Sequence, residues 1–412
     1  MENDEATRGS ASSPLLEQSR EMAPELVELR RDLHRHPELS FQEERTAGVA
    51  ARALNELGLE VRQGVAGTGV VADLVTGRGP GGDEGPTVAL RGDMDALPIQ
   101  EENDLPYASS VPGVMHACGH DAHTASLVGA ARLLVAEAAA GSLPPGRIRF
   151  LFQPAEERMD EEGKSGGRRM VEAGVLEGVD AVVGAHVGAH LPAGRIYLRE
   201  GPLFAGSDEL VVTVRGRSAH AARPHEGVDA VVLAAQGVLA VQQAVARKVD
   251  PMESGVVTFG TIHGGTAMNV LAEEVTLTGT LRYFREEVHE ALRSGVQGAF
   301  RALEAQGAGV EVRIVPGYPP VVNHGATTRK VRKGLGEILG SELVQDAEPG
   351  MLAEDFSYMA QAAPGVFFWV GAGLPDPRRH HDGCFDIDES ALPLAAAALA
   401  GAAKTLLEEG EA

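Results

Sequence analysis

The chain has only two cysteines, Cys118 and Cys384, among its 412 residues. Two cysteines cannot form the disulfide framework of small secreted domains. The first twenty residues also lack the basic start and apolar core of a secretory leader, and we expect them to form a polar, mobile arm. Both absences favour a reducing cytoplasm, where a cysteine thiol is free to bind metal.

Basic residues are scarce as well: 36 Lys and Arg stand against 59 Asp and Glu, a formal net charge of −23. Nucleic acids and anionic membranes are bound by clustered basic side chains, so this balance argues against both as partners. No segment approaches the roughly 20 apolar residues that cross a bilayer. A small-molecule substrate stays compatible, because charge within a pocket can oppose the overall sign.

Strand-like apolar runs alternate with helical stretches in the first half of the chain. A helix is expected over roughly Thr124–Ala139 and a closing helix over Leu392–Leu407. The Gly/Pro-rich segment 77–86 is typical of a hairpin connection. The apolar runs are 87–90, 147–152, 180–184 and, later, 366–370. This alternation predicts an α/β fold with a mostly parallel, mixed sheet flanked by helices.

The segment from about Gly206 to Gly317 has a different pattern. Its strand–helix–strand–strand–helix–strand order is that of the ferredoxin-like α+β unit, inserted into a larger domain. The expected strands are 209–214, 255–262, 275–283 and 310–315, with helices over 229–249 and 286–305. We therefore expect the chain to divide into three segments. Residues 1–205 form the first part of a catalytic domain, residues 206–317 form the inserted domain, and residues 318–412 form the second part of the catalytic domain.

The segment Met115–His123 is unusually dense in side chains that bind metals. In an extended backbone, residues two apart face the same way, so Cys118 and His120 can converge on one ion. Asp95 or Asp121 can accept a hydrogen bond from a ligand imidazole and so fix which ring nitrogen faces the metal. The alternative interpretation of the segment is a helix N-terminus with incidental histidines.

Glu156 and Glu157 follow another apolar run. Adjacent side chains diverge in a non-helical backbone, so one carboxylate can hold a metal ion while its neighbour acts as the base in hydrolysis. A solvated acidic pair is the alternative. His186 and His380–His381 also follow apolar strands, and open α/β sheets carry their sites there. Taken alone, His186 would be interpreted as structural.

With these segments in view, the chain resembles the M20 metallopeptidase clan, specifically its branch of aminoacylases, hippurate hydrolases and plant auxin-conjugate hydrolases. The matching segments are 29–43, 91–101, 115–124, 153–157, 184–194, 216–230, 269–282, 353–358 and 380–389. The resemblance implies a zinc-exopeptidase-like fold whose inserted domain is a lid and dimerisation domain. It also implies hydrolysis of N-acyl-L-amino acids of the hippurate or N-acetyl type by a homodimer or higher homo-oligomer.

The resemblance implies that two divalent ions share a bridging water, with Glu156 as the general base. Carboxylate, imidazole and thiolate ligands suit Zn, Mn, Co or Ni rather than Ca or Mg. His381 keeps the family's spacing to Phe385 but lacks the usual Ser-Pro after it, so His380 is the fallback ligand. The implied metal ligands are Cys118, His120, Glu157, His186 and His381.

In the inserted domain, the resemblance implies that His220 polarises the scissile carbonyl, within its own subunit or in a neighbouring one. Asn269 and Arg282 match positions that contact the substrate's carbonyl and carboxylate. A loop cap for His220 and an exposed strand charge for Arg282 are the alternatives. The few aromatic residues of this domain argue against selection for a bulky indole.

Other activities fit the same motifs. A dipeptidase or an N-acetyl-diaminopimelate deacetylase would use the same machinery on different acyl and amine halves. A non-catalytic metal-binding homologue would be expected to lack the base, yet Glu156 is present. A thiol enzyme with Cys118 as nucleophile and His120 as its activator would leave the paired glutamates without a role.

Overall fold

The computed structural model describes residues 14–77 and 85–408. These form two compact units. Unit 1 takes in the described residues of Met1–Leu203, Val322–Glu348 and Asp355–Ala412, and unit 2 consists of Phe204–Val321 and Pro349–Glu354. Residues 349–354, expected in the catalytic domain, group with unit 2 because the Ala205 N–H donates to the carbonyls of Gly350 (3.1 Å) and Leu352 (2.9 Å).

Strands and helices are numbered here in chain order over the described residues. The strands are β1 Glu60–Val65, β2 Gly69–Gly77, β3 Thr87–Asp93, β4 Gly146–Gln153, β5 Ala181–Pro192, β6 Ile196–Leu198, β7 Gly201–Phe204, β8 Gly206–Arg215, β9 Gly255–Gly264, β10 Glu274–Tyr283, β11 Gly309–Pro316, β12 Val321–Asn323, β13 Val344–Asp346 and β14 Gly365–Gly373. The α-helices are α1 Pro14–Glu21, α2 Ala23–Arg35, α3 Glu44–Glu56, α4 His120–Ala139, α5 Gly166–Glu172, α6 Ala230–Lys248, α7 Glu286–Arg301, α8 Gly325–Leu339, α9 Phe356–Ala362 and α10 Ala391–Leu407.

Eight strands form the sheet of unit 1, in the order β1-β2-β4-β3-β5-β14-β6-β13. Its centre is parallel, since β4, β3, β5 and β14 run in one direction. Strands β1 and β2 at one edge are antiparallel to their neighbours, and β6 is antiparallel to β14. Central strands are buried on both faces and therefore almost wholly apolar, as the run Val366–Val370 shows. The predicted mostly parallel, mixed sheet is confirmed.

Helices cover this sheet. Helices α4 and α10 pack against each other and contact β3 and β5, whereas α5 and α9 contact each other and reach β4 and β14. The first pair approaches closely because Gly129 has no side chain: a Cβ there would lie 2.9 Å from the Cβ of Ala396. This packing fixes the position of α4, whose first residue is His120.

The N-terminal arm is shorter than expected. Helix α1 begins at Pro14, and its Leu15 and Leu16 side chains are buried. The Ser19 hydroxyl donates to the Pro393 carbonyl (2.5 Å). The expectation of a mobile arm is therefore wrong for residues 14–20, because two adjacent leucines give the helix an apolar side to bury. Residues 1–13 lie outside the described residues.

The prediction of a hairpin at 77–86 is also wrong. Residues 78–84 lie outside the described part of the chain, but the strands on either side of them are described. The segment joins β2 to β3, and these two strands are not neighbours. Strand β4 lies between them, antiparallel to β2 and parallel to β3. A Gly/Pro-rich connection shows where the chain turns but not which strand it pairs with next.

Unit 2 follows the predicted order β8-α6-β9-β10-α7-β11. Its four strands form an antiparallel sheet in the order β11-β8-β10-β9, with α6 and α7 packed together beside it. Alternate residues of β8, Leu210, Val212 and Val214, are fully buried, as one buried face requires. The order of elements matches the ferredoxin-like unit.

Helix α6 is, by length and composition, apolar enough to cross a membrane. The expectation that no segment approaches that limit is therefore wrong. Within unit 2 the helix buries Leu233, Ala234 and Val241, and it contacts α7, β9 and β10. One face of the helix packs into the core of the unit, and the opposite face leaves Val232 and Leu239 exposed.

Candidate metal centre

The metal-binding residues predicted from the sequence meet at one edge of the sheet in unit 1. Strands β3 and β4 end at Asp93 and Gln153, and the residues that follow them carry Asp95 and the Glu156–Glu157 pair. Carboxyl ends of parallel strands meet at one edge, where open α/β sheets place their sites. His186 departs from this pattern, because it lies inside β5 rather than beyond its end.

A left-handed turn at Gly119 brings Cys118 and His120 together. Gly119 has a φ of 96° and caps α4, so His120 is the first residue of a helix and not part of an extended segment. A Cβ at Gly119 would lie 2.4 Å from Val187 Cγ2. The predicted convergence is present, but extended backbone is the wrong reason for it. The segment is the helix N-terminus of the alternative interpretation, and its histidines are not incidental.

His120 presents one ring nitrogen to the cluster. Its Nδ1–H donates to Asp95 Oδ1 (3.1 Å), which leaves Nε2 buried without a hydrogen-bond partner among the described residues. Nε2 lies 3.7 Å from Asp93 Oδ2 and 3.9 Å from Glu157 Oε1. Burial lowers the pKa of His120, but the Asp93, Asp95 and Glu157 carboxylates outweigh it and raise the pKa to about 10. So much negative charge around one nitrogen favours a cation beside it.

Asp95 organises the turn that carries the two glutamates. Its carboxylate accepts the backbone N–H groups of Glu156 (3.1 Å) and Glu157 (3.0 Å), and also the Ser40 hydroxyl (2.6 Å). The same carboxylate accepts from His120. Asp95 therefore fixes the positions of three neighbours that the sequence marks as functional.

Ala155 sets the direction of the glutamate pair. It has a φ of 47°, which is uncommon for a residue with a side chain, and its N–H donates to buried Glu43 (2.8 Å). Glu156 is 6% exposed, and its Oε1 accepts the Asp355 N–H at 3.4 Å. Glu157 Oε1 instead lies 3.1 Å from His381 Nε2. The two adjacent carboxylates thus have different surroundings.

Cys118 and His186 face each other, with Sγ and Nε2 3.4 Å apart. The His186 Nδ1–H donates to the Val187 carbonyl (2.8 Å), which turns Nε2 toward the thiol. Burial and then the Glu157 carboxylate raise the pKa of Cys118 well above its ordinary value. A neutral thiol is a poor nucleophile, so this environment suits a cysteine that is deprotonated by a bound cation.

His381 and its neighbour His380 have different partners. The ring of His381 reaches Glu157, and its backbone N–H donates to the Ala117 carbonyl (2.8 Å). His380 Nε2 instead accepts the Ala189 N–H (3.2 Å). His381 therefore lies in the cluster, and the fallback His380 supports a backbone segment beside it.

The predicted ligands fall into two overlapping groups of three. One group is Cys118, His120 and His186, and the other is Cys118, Glu157 and His381, with ligand atoms within 4.8 Å of one another in each group. Ligands bonded to one ion at about 2.0–2.3 Å lie within such distances of each other. The sulfur, imidazole and carboxylate donors fit Zn, Mn, Co or Ni, and the shared cysteine fits two adjacent ions.

Asp93 and His123, which were not assigned to the site from the sequence, lie beside the cluster. Asp93 Oδ1 accepts from His123 Nδ1 (2.6 Å), and its Oδ2 accepts from Arg91 (2.7 Å). His123 Nε2 accepts the Val187 N–H (2.9 Å). His123 groups with Asp93 and His120 by distance, yet both of its nitrogens are engaged. The signal was available: Arg91 and Asp93 are charged residues in a strand, directly after the apolar run Val88–Leu90.

Asp121 does not support a candidate ligand in the way that Asp95 does. Its Oδ2 accepts from Arg30 Nε (2.8 Å) and from His34 Nδ1 (2.8 Å), and all three side chains are buried. Asp121 follows His120 in a helix, and adjacent helical side chains diverge by about 100°. The expected role behind an imidazole ligand therefore falls to Asp95, and Asp121 ties α4 to α2.

The three residues predicted in the inserted domain all lie in unit 2. His220 Nδ1 accepts the Ala222 N–H (3.0 Å), and the Ala221 N–H donates to the Asn269 carbonyl (2.9 Å), so the segments of His220 and Asn269 adjoin each other. Arg282 lies on β10, half-buried, and donates to the Leu281 carbonyl (3.1 Å) and to the Thr280 hydroxyl. The contact of His220 within its own loop uses Nδ1 and does not involve Nε2.

Known proteins share this chain's sequence and fold over most of its length. The sequence profile of peptidase family M20/M25/M40 matches residues 89–405. An N-acetyl-L-cysteine deacetylase of Bacillus subtilis is 40% identical, over 94% of this chain and 89% of that protein. An IAA-amino acid hydrolase of Arabidopsis thaliana is 37% identical, over 93% and 86% respectively. The fold also matches the crystal structure of a dinuclear metal binding peptidase of the M20 family from Bacillus subtilis, with a TM-score of 0.81. The two sequences are 35% identical, and the match covers 94% of this chain and 99% of the peptidase.

Proposed function

The chain belongs to peptidase family M20/M25/M40, and we propose that it hydrolyses the amide bond of N-acyl-L-amino acids. The observation that carries the proposal is the pair of overlapping ligand groups sharing Cys118, with the Glu156 carboxylate beside them. Relatives named for deacetylation and for amino-acid conjugate hydrolysis support the substrate class.

Two divalent ions complete this site in the proposal. Cys118, His120 and His186 would hold one, and Glu157 and His381 would hold the second together with the shared thiolate. The ions would lower the pKa of a water toward neutrality and polarise the amide carbonyl. His186 is suited to ligation because burial and the nearby histidines lower its pKa well below the ordinary value, so its ring is neutral.

Glu156 is the proton carrier in this proposal. It is buried, its Oε1 accepts the Asp355 N–H, and its backbone is held by Asp95. A carboxylate fixed in this way can take a proton from the attacking water and return it to the nitrogen of the departing amino acid. Its neighbour Glu157, drawn toward His381, holds the cation instead.

Unit 2 supplies the substrate contacts in the proposal. The His220 Nε2–H would donate to the oxygen of the scissile carbonyl as negative charge develops on it, whichever subunit provides the histidine. Asn269 would bind the same carbonyl. Arg282 would hold the free carboxylate of the amino acid through paired hydrogen bonds.

The chain is proposed to act in the cytoplasm as a homodimer or higher homo-oligomer. Strand β9 is one of the two edge strands of the unit 2 sheet, and its Val256 and Ile262 side chains are 37% and 52% exposed. An exposed apolar edge strand is a surface that self-association covers.

A substrate panel tests the proposed activity. Protein stripped by a chelator and reconstituted with Mn or Zn would be assayed on hippurate, N-acetyl-amino acids, dipeptides and N-acetyl-diaminopimelate. The proposal predicts loss of activity on stripping, recovery on reconstitution, and the highest kcat/KM for an N-acyl-L-amino acid. A preference for dipeptides or for N-acetyl-diaminopimelate would favour the alternative hydrolases, and full activity after stripping would favour Cys118 as a nucleophile.

A further inference from the structure

Strand β5 continues beyond His186 and bulges around residues 189–191. Gly188 pairs with Gly371 of β14, whereas the next pair joins Pro192 to Gly373, so β5 advances four residues while β14 advances two. Bulges are common beside active sites, where they redirect a side chain. The residue at the centre of this bulge is His190.

The bulge is held on both sides. A Cβ at Gly371 would lie 2.0 Å from the Pro192 carbonyl oxygen, and one at Gly373 would lie 2.7 Å from the Leu191 carbonyl oxygen. Both positions of β14 therefore accommodate the bulge only as glycine. The Ala189 N–H donates to His380 Nε2 (3.2 Å), which ties the bulge to the loop that carries His381.

The bulge places the His190 ring at the outer end of an aromatic cluster. Its centroid lies 5.2 Å from Trp369 in an edge-to-face arrangement and 6.2 Å from His380. These two rings in turn lie 5.0 Å and 5.3 Å from the ring of His186, a proposed metal ligand. Trp369 is 5% exposed, whereas His190 is exposed. His190 is thus the solvent-facing member of a ring cluster that begins at the metal centre.

We infer that His190 is a specificity-determining residue that binds a planar aromatic group of the substrate. The inference rests on the proposed function for the identity of the substrate but not for the aromatic contact itself. Aromatic groups prefer edge-to-face or offset contacts with centroids about 4.5–7 Å apart, and Trp369 already makes such a contact with His190. A further ring from the substrate would extend the same cluster on its open side.

The surroundings of His190 favour stacking over ion pairing. One side of the His190 ring lies against Trp369 and His380, and this partial burial lowers the pKa of His190. A neutral ring has no charge to attract a carboxylate. The substrate carboxylate is assigned to Arg282 in the proposed function, so His190 is available for the aromatic part. That part can belong to the acyl half or to the amino-acid half, and paired ligands separate the two.

Trp369 provides a direct readout, because it is the chain's one tryptophan. Its fluorescence would be followed in the Glu156→Gln background during titration with hippurate against N-acetylglycine, and with N-acetylphenylalanine against N-acetylalanine. The inference predicts tighter binding of the aromatic member in one pair or in both. His190→Asn should reduce that preference about fivefold, and His190→Phe should keep it to within about twofold.

His36→Asn is the matched control, since His36 is a part-exposed histidine at the end of α2 and should leave both preferences unchanged. Equal binding of aromatic and aliphatic ligands by the parent protein would overturn the inference, and so would an unchanged preference in His190→Asn. A preference kept by Asn and lost by Phe would assign His190 to hydrogen bonding and would overturn stacking. Because the titration needs no turnover, an inactive protein that still prefers aromatic ligands would refute the proposed function alone.

Discussion

Glu156 and Glu157 are adjacent in sequence and differ in their contacts. The structure places Glu157 Oε1 3.1 Å from the imidazole of His381, whereas Glu156 accepts a backbone N–H from Asp355 and is 6% exposed. Asp95 holds the backbone of both residues, so neither can take the place of the other without rebuilding the turn. This division lets one carboxylate hold a cation while the other moves a proton.

Glu156→Gln should keep the fold and the bound metal while lowering kcat by about 100-fold, the usual scale for a general base. Glutamine keeps the size of the side chain and removes only its capacity to carry the proton. Glu157→Gln is the matched control, and it should lose metal in elemental analysis after dialysis. Near-normal turnover by Glu156→Gln would remove Glu156 from the mechanism.

Arg282→Lys should raise KM for N-acyl amino acids about tenfold and leave kcat and the melting temperature nearly unchanged. Lysine keeps the charge but cannot form the paired hydrogen bonds of a guanidinium with a carboxylate. Arg215→Lys, an exposed strand arginine in the same sheet, should change neither constant. An unchanged KM in Arg282→Lys would leave Arg282 as the strand charge of the alternative interpretation.

Helix α4 depends on glycine at both of its ends, for different reasons. Gly119 before its first turn has a φ of 96°, and a Cβ there would lie 2.4 Å from Val187. Gly141 after its last turn has a φ of 68° with open space around it. A substitution at Gly141 therefore meets only backbone strain, and one at Gly119 meets strain together with a steric clash inside the metal centre.

Gly141→Ala should lower the free energy of unfolding by about 1 kcal/mol and retain metal, since the left-handed conformation costs roughly that much for a residue with a Cβ. Gly119→Ala should lower it by more, up to about 3 kcal/mol, and should also weaken metal binding because Cys118 and His120 are displaced. Denaturant melts and metal titrations measure both effects. Wild-type metal affinity in Gly119→Ala would show that the turn does not position the ligands.

The elements of the fold could be predicted from the sequence where local pattern determines them. The central strands are apolar because both faces are covered, and the succession β8-α6-β9-β10-α7-β11 follows from alternation and helical spacing. The pairing of the strands could not be predicted in the same way, because the Gly/Pro-rich connection between β2 and β3 does not reveal that β4 lies between them in the sheet. The length of β5 was missed for a similar reason: glycines and histidines interrupt its apolar run, and the pairing with β14 keeps it extended.

The residues of the site could be named from motifs, but their supporting contacts could not. Asp95 and Asp121 were equivalent as sequence signals, and only the fold shows that Asp95 contacts His120 while Asp121 pairs with Arg30. Asp93 was missed because its partners, Arg91 and His123, face it only once the sheet and α4 have packed. Contacts between distant segments depend on packing, which a single sequence does not specify.

The whole molecule consists of a unit with the candidate metal centre and a unit with an exposed apolar edge. The chain should therefore have at least twice its monomer mass in solution, with β9 at the contact. Ile262→Lys should shift the mass toward the monomer in light scattering. Val75→Lys, at an exposed valine of unit 1, is the control and should leave the mass unchanged. A monomeric parent protein would contradict self-association through unit 2.

The metal centre proposed for this chain consists of one cysteine, three histidines and a glutamate that together hold two cations. The most direct test is an anomalous difference map from crystals of the Mn-loaded protein. We predict two peaks, each within about 2.0–2.4 Å of ligand atoms from Cys118, His120, Glu157, His186 and His381. A peak held instead by Asp93, His120 and His123, or no peak near Cys118, would contradict the claim.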